Sequence, residues 1–198
     1  MTLVLACAVR GGVLVAGDTL VNTSTSLGST TASTMPGGKV FAIGKRFAVV
    51  TYGGYAGYPN VPTRMAGLTP LADETTAAFA KRLMDIFREP RAGNTMRALV
   101  AGIDGKVYRI IEADLDVQAL RTGGDCGFWS GSVWGEDSTL LPGWPVGISP
   151  AEKAAQLNRQ MAREFAAGLI KAGATAQPAY VGPEMEALVV TSAGVEVA

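Results

Sequence analysis

Thr2-Leu3-Val4-Leu5-Ala6-Cys7-Ala8-Val9 and Val13-Leu14-Val15-Ala16-Gly17-Asp18 are two apolar runs rich in β-branched residues, separated by the turn Arg10-Gly11-Gly12. Runs of this length bounded by a glycine turn read as paired strands buried in a core. The hairpin begins at the second residue, and a strand so near an end escapes fraying only when it is tied into a sheet.

Outward from this hairpin the strand pattern continues. Residues 22–38 are rich in Ser, Thr and Gly; their threonines suit an exposed strand, and the segment reads as a long hairpin or loop. Lys39-Val40-Phe41-Ala42-Ile43, the turn Gly44-Lys45-Arg46 and Phe47-Ala48-Val49-Val50-Thr51-Tyr52 form a further hairpin that closes on Gly53-Gly54. Residues 59–70 read as a loop. Residues 71–89 predict a helix with Phe79, Leu83, Ile86 and Phe87 on one stripe, Asp73 and Glu74 in the first turn and Pro90 as the stop. Residues 96–103 and 106–113 predict a hairpin around Asp104-Gly105, and another strand lies near residues 128–134. Ser149-Pro150-Ala151-Glu152 is a capping box, behind which Leu157, Met161, Phe165 and Leu169 mark one face of a second long helix, with Gly173 as its C-cap. Strands over residues 186–191 and 195–197 flank the turn Ser192-Ala193-Gly194.

The predicted order is four strands, a helix, three strands, a helix and two strands. Antiparallel runs separated by amphipathic helices call for an α+β domain in which two apolar-faced sheets cover each other and helices cover the rest. A four-layer αββα sandwich of two antiparallel sheets, forming one domain over residues 1–198, satisfies this. A doubly wound parallel sheet is excluded because strand and helix do not alternate strictly. Hydrophobic residues at 48% against 17% charged suffice for one buried core. With 17 Lys+Arg balancing 17 Asp+Glu, neither nucleic acid nor a membrane surface is an expected partner. No apolar run approaches the roughly 20 residues of a membrane span, and the opening run lacks the basic start of a signal peptide. Cys7 and Cys126 set no disulfide framework; they read as small core residues and suit a cytoplasmic location.

The chain contains no histidine. Ser-His-Asp and Cys-His nucleophile systems and HExxH metal sites are therefore excluded. A catalytic base must then be a carboxylate, a lysine, a tyrosine or an amine, and Thr2 offers the last. Removal of Met1 would leave a threonine whose α-amine, with an ordinary pKa of about 8, takes the proton of its own hydroxyl. No metal and no cofactor enters this chemistry.

Thr2-Leu3-Val4 with Gly17-Asp18, Lys39-Val40-Phe41, Gly53-Gly54-Tyr55-Ala56-Gly57, Ala98-Leu99-Val100-Ala101-Gly102-Ile103-Asp104 with Val107-Tyr108, and Ser130-Gly131-Ser132-Val133 follow in this order. In order and spacing they resemble the proteasome β-subunit family and its bacterial HslV-type relatives, which are N-terminal nucleophile hydrolases. The resemblance covers most of the chain and implies the same αββα sandwich. It implies that Thr2 Oγ attacks a peptide carbonyl, that the Lys39 ammonium favours the deprotonated hydroxyl and that Asp18 orients Lys39. The Gly53 N–H is implied as the oxyanion donor, Ser130 as a contact of the terminal amine, and Asn22, Thr51 and Tyr55 as substrate-binding residues. Further implications are a homo-oligomer of stacked rings, with Trp129, Trp134 and Trp144 at subunit contacts, and an ATP-dependent unfoldase that delivers unfolded polypeptide. The acidic residue that the family carries after its second long helix is missing from Pro178-Ala179-Tyr180-Val181, and Glu164 and Glu184 are the possible substitutes. The same fold also serves a noncatalytic assembly subunit or a non-peptide amidase.

Overall fold

The computed structural model of the chain describes residues 3–24, 30–34, 38–53, 60–88, 96–115, 118–122, 127–131, 156–176, 178–179 and 181–198; at 22–24, 30–34 and 127–131 the description is of the backbone. The described elements begin with β1 (Leu3–Val9), β2 (Gly12–Asp18), β3 (Leu20–Ser24), β4 (Thr30–Thr34), β5 (Val40–Ile43) and β6 (Phe47–Tyr52). Helices α1 (Val61–Ala66) and α2 (Thr76–Ile86) follow, then β7 (Arg97–Asp104), β8 (Val107–Asp114), β9 (Ala119–Thr122) and β10 (Gly127–Gly131). Helix α3 (Arg159–Ala176), β11 (Met185–Thr191) and β12 (Gly194–Val197) complete them.

The first sheet has the order β10-β1-β2-β11-β12 and the second β5-β6-β7-β8-β9, with every neighbouring pair antiparallel. In β1, Leu3, Leu5, Cys7 and Val9 pack toward α3, while Val4 and Ala6 pack toward the second sheet. This is the period of two expected of a strand, and because both faces are covered the run is apolar throughout. The second sheet repeats the division: Val40, Ala48, Val50, Leu99 and Ala101 meet the first sheet, whereas Phe41, Ile43, Phe47, Val49 and Val100 meet α1 and α2. Three apolar layers thus join four structural layers, an αββα sandwich of two antiparallel sheets. Full burial of each large aliphatic or aromatic side chain contributes about 1.5–3 kcal/mol.

The opening hairpin turns through Arg10-Gly11, with Val9 opposite Gly12 and Gly11 at φ 85°, a conformation that a side chain would strain. The Ser/Thr-rich segment contains the small hairpin β3–β4, which stands apart from both sheets. Several expectations need correction. Residues 59–70 contain α1, a single short helix with Pro62 near its start and Val61 and Met65 in the core; six residues are too few to show a helical period. Helix α2 starts at Thr76, capped by the Thr75 side chain accepting from the Ala78 N–H at 3.2 Å, so Asp73 and Glu74 precede it. Glu74 instead receives a two-pronged bond from Arg82, at 2.7 and 2.8 Å, and the Leu71 N–H at 3.0 Å. The β7–β8 turn is Gly105-Lys106, one residue later than expected, and β9 is an additional strand.

In α3 the buried face is Ala162, Ala166, Leu169, Ile170, Gly173 and Ala174, and Met161 is 50% exposed. Small residues let the helix approach the sheet closely, which a search for large apolar residues overlooks. Gly173 is interior to the helix rather than its cap, and the Asn158 carboxamide accepts the Met161 N–H at 3.0 Å at the N-terminal end. Cys7 is buried; Pro90, Cys126, Trp134, Trp144 and the 149–152 capping box lie outside the described residues, as does the side chain of Trp129. Among the described residues no helix is long and apolar enough to cross a membrane.

Helix α2 is seated on the second sheet by a stacked pair, Phe47 and Phe79, with ring centroids 4.7 Å apart, flanked by the guanidinium groups of Arg46 and Arg82. Gly102 makes this approach possible, since a Cβ there would lie 2.4 Å from Thr76 Oγ1 and 2.8 Å from the Phe47 ring. Gly102→Ala should therefore destabilise the protein by about 1–3 kcal/mol, read as a lower denaturant midpoint at unchanged slope. The hydrogen bonds from Arg82 hold the Glu74 carboxyl below its ordinary pKa of 4.5. The resulting stability is complete above that pH and is lost as the pH falls through the lower folded-state value. Urea unfolding across the acid range should accordingly show a flatter pH dependence for Glu74→Gln than for the parent protein.

Candidate active site

Strand β2 ends at Asp18, whose carboxylate is 1% exposed and collects donors from four segments. Its Oδ1 accepts the Leu3 N–H at 2.8 Å, and its Oδ2 accepts the N–H groups of Leu20 at 3.1 Å and Gly182 at 3.2 Å. The Lys39 ammonium donates to the same Oδ2 at 3.0 Å and is 2% exposed. A buried ion pair survives only when its remaining hydrogen-bonding capacity is met, and here backbone donors meet that of the carboxylate. Gly182 comes within reach because it lacks a side chain: a Cβ would lie 3.0 Å from Leu20 Cβ and 3.1 Å from its backbone nitrogen.

Lys39 directly precedes β5, and its carbonyl accepts the Thr51 N–H at 2.9 Å and the Thr51 hydroxyl at 3.4 Å. Burial pushes the Lys39 ammonium below the ordinary lysine pKa, while the charge and hydrogen bond of Asp18 and the charge of Glu186 oppose that shift. A lysine tuned in this way, with a fixed ammonium, can lower the pKa of a nearby hydroxyl. Leu3, whose N–H is bonded to Asp18, directly follows Thr2 in the chain.

Thr51, expected to bind substrate, is completely buried and its hydroxyl donates to the Lys39 carbonyl. Gly53, exposed and at φ 95°, is the first residue past β6. The backbone of Ser130 pairs with Val4, so β10 runs alongside the strand that leads back to Thr2. Asn22 pairs with Ala32 in the small hairpin. Thr2 and Tyr55 lie outside the described residues. Neither substitute acid joins the cluster through its side chain: Glu164 is exposed on α3 and accepts from Gln160, and Glu184 is exposed, contributing only its carbonyl to the Thr19 N–H.

Sequence reasoning missed Gly182, Glu186 and a second buried polar group beside Gly53. The Tyr52 hydroxyl donates to Glu112, a carboxylate 3% exposed that also pairs with Arg121 and lies 3.9 Å from Arg97. Burial first, then the Glu112 bond and charge, push the Tyr52 phenol well above its ordinary pKa, so it remains a donor and anchors the end of β6. Glu112 carried a readable signal as a lone charge within the apolar run Ile110-Ile111-Glu112-Ala113. Gly182 and Glu186 carried none, because their importance depends on strand register.

No protein-family model and no curated protein sequence matches the chain, whereas 313 chains of solved structures match its fold. One is the Anbu (Gly-1) mutant from Hyphomicrobium sp. strain MC1, with a TM-score of 0.68 and 15% sequence identity, over 100% of this chain and 85% of that one. Anbu has a proteasome-like fold, and at this identity the likeness concerns the fold. In Asp18→Asn, Lys39 would be left buried without its ion-pair partner, a loss of about 3–5 kcal/mol. Adding Lys39→Met should recover part of that loss, because the stranded charge is then gone; denaturant unfolding of the single and double variants measures both effects.

Proposed function

We propose that the chain is a proteasome-like threonine peptidase that hydrolyses peptide bonds of unfolded polypeptides inside a ring-shaped compartment, with Thr2 as the nucleophile once Met1 is removed. The observation that carries this reading is the buried Asp18–Lys39 pair bonded to the Leu3 N–H, one residue from Thr2. The absence of histidine supports it from the other side, since an N-terminal amine supplies the base that imidazole supplies elsewhere.

In the reaction, Thr2 Oγ adds to the scissile carbonyl carbon while its proton passes to the α-amine. The Lys39 ammonium, oriented by Asp18, stabilises the developing alkoxide, and the Gly53 N–H receives the tetrahedral oxyanion. Collapse breaks the C–N bond, and the leaving amine departs with the proton held by the α-amine. Water then cleaves the Thr2 ester by the same route and returns the free hydroxyl. Ser130 contacts the α-amine, and Asn22, Thr51 and Tyr55 contact substrate. A homo-oligomer of stacked rings would restrict access to unfolded chains passed in by an ATP-dependent unfoldase.

Intact-mass measurement should find the protein without Met1, and a threonine-directed electrophile should add once, at Thr2. Thr2→Ala should abolish both the labelling and peptide hydrolysis while leaving the unfolding midpoint near that of the parent. A retained Met1 with no labelling would reject this function and favour the noncatalytic assembly subunit, whereas labelling at Thr2 with hydrolysis of small amides alone would favour the amidase.

A further inference from the structure

Asp18 divides one negative charge among four donors, and a second carboxylate stands on the neighbouring strand. Glu186 lies opposite Gly17 in the β2–β11 ladder. Paired residues share a face, and here it is the face turned to the second sheet, where Leu188 and Val190 follow Glu186 at the period of a strand. Gly17 leaves that space open: a Cβ in its place would meet Val50 at 3.0 Å and Val40 at 3.4 Å. Strand β11 packs against β5 there, and Glu186 and Val40 line one cavity of about 260 Å³ together with Arg163, Met185 and Leu188. Lys39 is the residue directly before Val40.

We infer that Glu186 is a positioning residue for Lys39, a half-buried carboxylate on β11 that supplies the second negative charge holding the lysine ammonium charged inside the sandwich. Among the described residues, the charged groups at this place are Asp18 from β2, Glu186 from β11 and Arg163 from α3, and Ala198, with the terminal carboxylate, lines the same cavity. Burial favours the neutral lysine, and the two carboxylates favour the ammonium. The consequence for catalysis rests on the proposed function, since a neutral Lys39 would no longer stabilise a Thr2 alkoxide.

The test follows Lys39 itself by NMR in the intact protein labelled with carbon-13 lysine, its resonance assigned by its loss in Lys39→Arg. Glu186→Gln should lower the titration midpoint of Lys39 by about one pH unit, and Glu184→Gln should leave it in place. An unchanged midpoint in folded Glu186→Gln, or an equal fall in Glu184→Gln, would overturn the assignment. If Glu186→Gln does not fold, Glu186→Asp retracts the same charge by one methylene and should give a smaller fall in the same direction; no fall would again overturn it. Peptide hydrolysis separates the two claims. Where hydrolysis is present, its alkaline limb should move with the Lys39 midpoint; a shifted midpoint in a protein without hydrolysis would refute the proposed function and leave the role of Glu186 standing.

Discussion

The Asp18 carboxylate is the constraint on which the rest of the structure depends. Its two oxygens bind the start of β1, the entry to β3, the segment before β11 and the lysine before β5. A buried charge that loses these partners costs several kcal/mol, so the four segments must arrive together. The candidate active site is for this reason part of the fold's own closure rather than a feature added at its surface.

The layers around that point are set by where side chains are absent as much as by where they are large. Gly17 lets the two sheets approach near Asp18, Gly102 lets α2 sit on Phe47, and the alanines of α3 let the outer helix lie close to the first sheet. Each close approach trades apolar bulk for tight packing, which protein interiors require at near-crystalline density. The buried bond from Tyr52 to Glu112 applies the same economy to polar groups. It satisfies a phenol and a carboxylate together and holds the end of β6 where Gly53 begins.

Much of this was legible in the chain. The β1–β2, β5–β6, β7–β8 and β11–β12 hairpins follow from apolar runs and their turn residues, and Asp18 and Lys39 stood out through their order behind Thr2. Helix α1 was illegible because it is shorter than two helical turns. The buried face of α3 was misread because Ala162, Ala166 and Gly173 carry little hydrophobic signal individually, although together they form the contact. The bonds from Thr51 to the Lys39 carbonyl became visible only once β5 and β6 were paired.

By itself, the sequence determined four of the hairpins, the burial of the opening one and the exclusion of imidazole chemistry, since periodicity, turn geometry and composition are local properties. Only the tertiary structure decided that Asp18 gathers N–H groups from Leu3, Leu20 and Gly182, that Thr51 is bonded to Lys39, and that Glu186 lies opposite Gly17 on the strand beside Asp18. Those relations join residues up to 164 positions apart. They depend on the register of β2 against β11 and on the packing of one sheet over the other, which no local pattern encodes.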